Sequence, residues 1–175
     1  MPSRHSPRRR RLLKKASAVF SKDSLAASRR PNTRMNIQLA IVCDFAADYQ
    51  GKLCIQGAFD TLCAQTFPVV HPQCSIAVRA VFQGEDAGMH EFVIRCVDPD
   101  GKECLPPMPA QLDVTFPSSF IPFVSRNIVY TLQRLKFERQ GLYRWLVQHQ
   151  DETLASIPLR VTLFDERRSA TGPAG

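Results

Sequence analysis

From Met35 onward the chain alternates apolar and polar positions. In NIQLAIVCDF, Ile37, Leu39, Ile41, Cys43 and Phe45 share one parity, while Asn36, Gln38 and Asp44 take the other. That period of two predicts a first strand with one buried face. After the DYQGK turn, LCIQGAFDTLCAQTF predicts a second strand, long and bent or bulged at Gly57. SIAVRAVFQ predicts a third strand, EDAG a turn and MHEFVIRCVD a fourth strand. DPDG at 98–101 has the proline and glycine of a tight turn. The three prolines of KECLPPMPA predict an irregular connection, because each removes a backbone donor. QLDVTF is a short fifth strand and SSFIPF a connection. In RNIVYTLQRLKF, Ile128, Leu132 and Leu135 fall at helical spacing, but the β-branched and aromatic start favours a strand. LYRWLVQHQ and TLASIPLRVTLF form a hairpin across QDE, with Tyr143, Trp145 and Val147 on one face.

About eight short strands separated by turns, with little helix, predict an all-β fold. The expected architecture is an antiparallel β-sandwich, immunoglobulin-like or calcium-lipid-binding-domain-like. Tyr143, two residues after Gly141, is reminiscent of the tyrosine corner of immunoglobulin-type sandwiches.

The 175 residues, 44% of them apolar, suit one domain with a real core. Charge divides the chain. Residues 1–34 carry 11 of the 23 Lys+Arg and one of the 16 Asp+Glu, a net +10, which leaves −3 for residues 35–175. The expected organisation is a disordered basic tail over 1–34, a sandwich over 35–165 and a disordered polar end over 166–175. In the tail, RRRRLLK resembles a twin-arginine export signal, yet only ASAVF follows before Lys22 and Asp23, short of the roughly 7–15 apolar residues such a signal requires. An Arg- and Ser-rich organelle presequence is a second reading; translation from Met35, leaving 1–34 untranslated, is a third. A translated tail attracts nucleic acid or anionic lipid without sequence specificity. No run approaches the roughly 18 apolar residues of a membrane helix, so no membrane insertion is expected. Six cysteines scattered through apolar runs fit a reduced, cytoplasmic setting.

Candidate chemistry concentrates in Cys54, Cys63, His71 and Cys74. If Cys54 and Cys63 share a strand, their odd separation of nine turns them to opposite faces. Structural zinc sites take four ligands, usually with a pair two to four residues apart; here only His71 and Cys74 are that close. No metal is therefore expected, with Cys63, His71 and Cys74 kept as the candidate ligands. Cys74 with His71 is also the one local thiol–base pair, but no third group orients it; bracing the turn before Pro72 is the simpler role for His71. Cys43 and Cys96 read as core fillers. Asp44, Asp48, Asp98 and Asp100 raise a calcium site built from loops, although turn chemistry accounts for Asp98 and Asp100. No phosphate loop, paired-acid arrangement or serine triad is present, so no cofactor is expected.

The leading reading is a non-catalytic binding or assembly module. Its partner-facing surface is LPPMPA with FPSSFIPF, where apolar side chains lack a strand to bury them, and Phe120 and Phe123 are the candidate partner-binding residues, for a protein partner or self-association. The alternatives are a metal-dependent or thiol enzyme using His71 and Cys74, and tail-mediated nucleic-acid or anionic-membrane binding.

The run MNIQLAIVCDFAADYQGKLCIQGAFDTLCAQTFPVVHPQCSIAVR, with GLYRWLVQHQDETLASIPLRVTL, resembles a family of small bacterial proteins of unknown function. The likeness rests on a first strand ending in Asp, a glycine turn, I-x-G-x-F-D, P-x-x-H-P and a terminal hairpin closing on P-L-R-V. It runs from about Met35 to Phe164. It implies a β-sandwich and a bacterial source, and it lends no reaction and no catalytic residue.

Overall fold

The computed structural model describes residues 35–164. The expectations for the basic tail and for residues 166–175 lie outside the described residues. Among these there are nine strands: β1 Asn36–Tyr49, β2 Lys52–Ala58, β3 Thr61–Ala64, β4 Val69–Gln83, β5 Gly88–Val97, β6 Met108–Val114, β7 Phe123–Phe137, β8 Gly141–His149 and β9 Glu152–Leu163. They form a sandwich of two sheets, ordered β2-β1-β4-β7 and β3-β9-β8-β5-β6.

Period-two patterning builds the core. Ile76, Val78, Ala80 and Phe82 of β4 face Phe92, Ile94 and Cys96 of β5, Tyr143, Trp145 and Val147 of β8, and Leu159 and Val161 of β9. Trp145, Phe82, Phe92 and Phe137 are among the largest fully buried side chains, each worth roughly 1.5–3 kcal/mol of burial. From β4 onward, β4 pairs with β7, β5 with β8, β8 with β9 and β5 with β6, all antiparallel. This is the cross-sheet order of an immunoglobulin-like Greek key, the first of the two sandwich types expected.

β1 differs from the simple alternating strand. Its first half pairs with β4 as far as Cys43 opposite Ser75, while the rest pairs only with β2. A register shift between Ile37 and Leu39 breaks the parity, so Ile37, Ala40 and Val42 join the main core and Ile41, Cys43 and Ala46 a second cluster with Leu53, Ile55, Ala77 and Val129. Ala77 and Val129 point opposite to Ile76 and Ile128, so the β1–β2 hairpin lies over the outer face of its own sheet. A polar latch fixes its turn. Asn127 donates to Asp48 at 2.7 Å and to the Gly51 carbonyl at 3.2 Å, and Arg79 donates to the same carbonyl at 3.2 Å and to Asn127 at 2.8 Å.

The single bent strand expected over Leu53–Phe67 is two strands in different sheets. The crossing is the Phe59–Asp60 dipeptide: Phe59 N–H bonds the Val42 carbonyl at 3.1 Å in one sheet, and the Asp60 carbonyl accepts from Arg160 N–H at 2.8 Å in the other. β3 then runs parallel to β9, the exception to an otherwise antiparallel sandwich. Gly57, at φ +66°, leaves a gap that the Asp44 side chain fills. Two prolines expected outside strands lie inside them. Pro109 sits in β6, a sheet edge, and Pro72 sits in β4 below the point where β1 leaves it, so neither breaks a ladder on both sides.

Candidate binding surface at the loop end

The registers that build the sheets also gather three connections. Gln83 ends β4 beside Phe123, which starts β7; Gly88 starts β5 beside Val114, which ends β6; and His149 ends β8 beside Phe92. The connections at 84–87, 115–122 and 150–151 therefore share one end of the sandwich, the end whose loops bind antigen in immunoglobulin variable domains.

Phe120 and Phe123 are both here. Phe120 is 93% exposed and Phe123 56%, with Met89 nearby at 63%. The exposure of Phe120 is built by the loop: the Ser118 hydroxyl accepts from Phe120 N–H at 3.3 Å and its carbonyl from Ile121 N–H at 3.1 Å, a turn that presents the ring outward, whereas Phe123, expected in the connection, is the first residue of β7. Beside it an open groove of about 700 Å³ is lined by Gly84, Gly88, Asp113, Thr115, Phe116 and Ile121. Arg126 ties the groove wall to β7, donating to the carbonyls of Asp113 and Thr115 at 3.4 Å. The segments 83–90, 113–123 and 149–152 carry Glu85, Asp86, Asp113, Asp151 and Glu152 and no Lys or Arg, so with Arg126 of β7 against the groove wall the rim is acidic on balance. LPPMPA is not the free surface expected of it: Met108–Ala110 belongs to β6, and Leu105, Met108 and Ala110 pack against the main core.

Two histidines that sequence reasoning passed over close the core beneath this surface. His90 Nδ1 lies 3.2 Å from His149 Nε2, and His90 Nε2 lies 2.8 Å from the Asp86 carbonyl. The His90 ring packs on Phe82 at 4.9 Å and the His149 ring on Phe92 at 5.2 Å. Burial first, then the His90 charge, hold the His149 pKa below its ordinary 6.5. A signal existed: His90 shares parity with Phe92, Ile94 and Cys96, and His149 with Tyr143, Trp145 and Val147, so both rings were due to point inward.

The cysteines and His71 are distributed elsewhere. Cys54 is exposed on β2 and Cys63 exposed on β3, so their placement follows from two strands in two sheets rather than from opposite faces of one. Cys74 is buried, its thiol pushed up to about 11 by burial and by Cys43 and Asp44. His71 is a residue of β4, not a turn brace. Its ring packs on Phe59 at 5.6 Å, and its Nε2 is buried without a hydrogen-bond partner. Cys63 and His71 line a shallow hollow with Asp44 and Phe59, and Cys74 does not. Among the described residues, no three His, Cys, Asp or Glu side chains gather where they would hold one ion.

Asp48, Asp98 and Asp100 are committed locally. Asp98 accepts from the Asp100 and Lys102 amides at 2.9 and 2.8 Å, and these bonds hold its carboxyl below the usual range. Arg139 pairs with both Asp98 and Asp100. Asp48 accepts from Asn127 and from Gly51 N–H, which lower its pKa in turn.

The model of a family of unknown function, DUF6941, matches residues 38–162. The chain belongs to that family. No curated protein matches it. Among solved structures it is similar to a β-glucosidase from Listeria innocua in complex with isofagomine, at 12% identity and a TM-score of 0.38, over 59% of this chain and 15% of that one. It is likewise similar to a β-D-glucoside glucohydrolase from Trichoderma reesei, at 14% identity and a TM-score of 0.42, over 73% of this chain and 18% of that one. The chain thus spans less than a fifth of the length of either enzyme. No helix among the described residues is long and apolar enough to cross a membrane.

Proposed function

We propose that the protein is a non-catalytic binding module of the bacterial cytoplasm that takes a protein partner at the loop end of its sandwich, with Phe120 and Phe123 as the anchoring side chains. The observation that carries this reading is the 93% exposure of Phe120 on a turn hydrogen-bonded to hold it there. An aromatic ring left in water forgoes a burial worth roughly 1.5–3 kcal/mol, which a partner surface restores. The acidic rim favours a different protein over a second copy of this chain, because two copies docked end to end set carboxylate against carboxylate. A partner that places Lys or Arg around an apolar recess fits best. Six free cysteines agree with a reduced compartment.

The test is quantitative. Wild type and the Phe120→Ser/Phe123→Ser variant are immobilised and exposed to source-cell lysate, and the recovered protein is purified and titrated against both. The expected result is binding weakened at least roughly tenfold in the variant, with the denaturation midpoint unchanged. Equal binding overturns the reading.

A further inference from the structure

A carbonyl only accepts hydrogen bonds, so the nitrogen of His90 that faces the Asp86 carbonyl at 2.8 Å carries a hydrogen. In a neutral His90 the other nitrogen, Nδ1, is then a lone pair, and Nε2–H of His149 donates to it across 3.2 Å. One hydrogen fits between the rings whether the pair is neutral or singly charged. A second charge does not fit. Both facing nitrogens would then carry hydrogens, with no acceptor between them and like charges in contact. The rings rest on Phe82 and Phe92, which are wholly buried, so neither can move deeper and relief takes a ring away from its partner, toward the solvent side.

Each ring is tied to a loop of the binding end. His90 holds the Gly84–Asp86 turn through the Asp86 carbonyl, and Gly84 and Gly88 line the groove. His149 is the last residue of β8, and the turn into β9 follows at Gln150, whose φ is +55°. The charges facing the pair are few. Glu152 lies opposite His149 across the hairpin, and Asp86 acts on it from the turn; both favour protonation, while burial and the partner imidazole oppose it and prevail. Phe82 of β4, Phe92 of β5 and Leu112, opposite His90 on β6, are uncharged. The Asp86 carboxylate is engaged by Gln83 N–H at 2.8 Å, and Glu91 turns to the other face, bonded to Gln111. Glu85 lies in the same turn.

We infer that His90 and His149 form a proton-operated latch: closed while the pair holds at most one charge, and opened by a second proton, which displaces the 84–88 and 149–152 segments and weakens partner binding at Phe120 and Phe123. The last step rests on the binding function proposed above. The latch itself does not.

The experiment is an NMR titration of the imidazole resonances of the full chain from about pH 8 to about pH 4.5, with the amides of 84–88 and 149–152 followed in parallel. The expected result is two coupled steps in place of two independent ones, with the amide shifts tracking the second. In His149→Gln, whose side-chain amide donates without taking a charge, a single step remains and the amide shifts vanish. His90→Gln gives the same readout should that variant fail to fold. Two independent single-site curves with unmoved amides overturn the latch, even if Phe120→Ser abolishes binding and so upholds the surface. Coupled steps with partner affinity constant across the second step overturn control of binding while the binding surface stands. Affinity that falls roughly tenfold through the second step in wild type, and not in His149→Gln, supports both.

Discussion

The Tyr143 hydroxyl donates to the carbonyl of Arg139, four residues upstream, at 2.9 Å. The bond ties β8 to the turn that feeds it, where Gly141 adopts a φ of +150° with Pro99 packed against its missing side chain. Its ring meets Phe137 edge-on at 4.9 Å, so β7 and β8 are joined across the sheets by one side chain that is apolar in body and polar at the tip. This is the tyrosine corner that the Gly141–Tyr143 spacing suggested. Tyr143→Phe keeps the ring and removes the bond. It is expected to lower unfolding free energy by about 1–2 kcal/mol in urea denaturation, with the native fluorescence of Trp145 retained. A loss below about 0.3 kcal/mol would show that the corner carries no stability.

Gly57 and Asp44 predict a non-additive pair. In Gly57→Ala the new methyl meets the Asp44 carboxylate, and alanine is strained at φ +66°. The single variant should lose about 1–3 kcal/mol. Adding Asp44→Ala removes the clash and leaves the backbone strain, so the double variant should recover part of the loss, an interaction that a double-mutant cycle reads directly. Strict additivity would mean that the two residues do not share this space.

Asn127→Ala should free the β1–β2 hairpin without unfolding the sandwich. Amide exchange over residues 44–58 is expected to accelerate while the core strands β4, β5 and β8 keep their protection. Acid should have the same local effect. Asp48 has a folded-state pKa below its ordinary 3.8, so its contribution is complete above that value and fades as pH falls through the folded-state pKa. Uniform acceleration across the domain would contradict a local latch.

Thiol chemistry separates the cysteines. Cys54 and Cys63 are exposed, whereas Cys43, Cys74 and Cys96 are buried, and burial raises the pKa of each of these three thiols. Since the thiolate is the reactive form, a disulfide reagent at neutral pH should modify Cys54 and Cys63 rapidly in native protein and the buried three only on unfolding. Rapid native labelling of Cys74, read by peptide mapping, would remove the burial argument.

Much of the fold was legible because one face of each strand is apolar. β8 alternates along its length and β5 as far as Cys96, and DPDG turns as its residues require, with Gly101 N–H bonded to the Asp98 carbonyl at 2.9 Å. The strand switch at Phe59–Asp60 was hidden because the chain runs on in extended form while its hydrogen-bond partners change sheet. The folding of the β1–β2 hairpin onto an outer face was hidden because Ile41 and Cys43 look like core residues whichever core receives them. At the candidate site, Phe120 and Phe123 were visible as apolar residues between prolines and serines. The His90–His149 pair was not, because the partners lie 59 residues apart and each alone looks like the end of a buried face.

The binding function proposed for the loop end depends on Phe120 and Phe123 being spare to the fold. The direct measurement is the urea midpoint of Phe120→Ser/Phe123→Ser beside wild type, on the same samples used for partner titration. Unchanged stability, within about 0.5 kcal/mol, together with lost binding is the expected result. A variant that loses about 2 kcal/mol or more, or that binds the partner as wild type does, contradicts it.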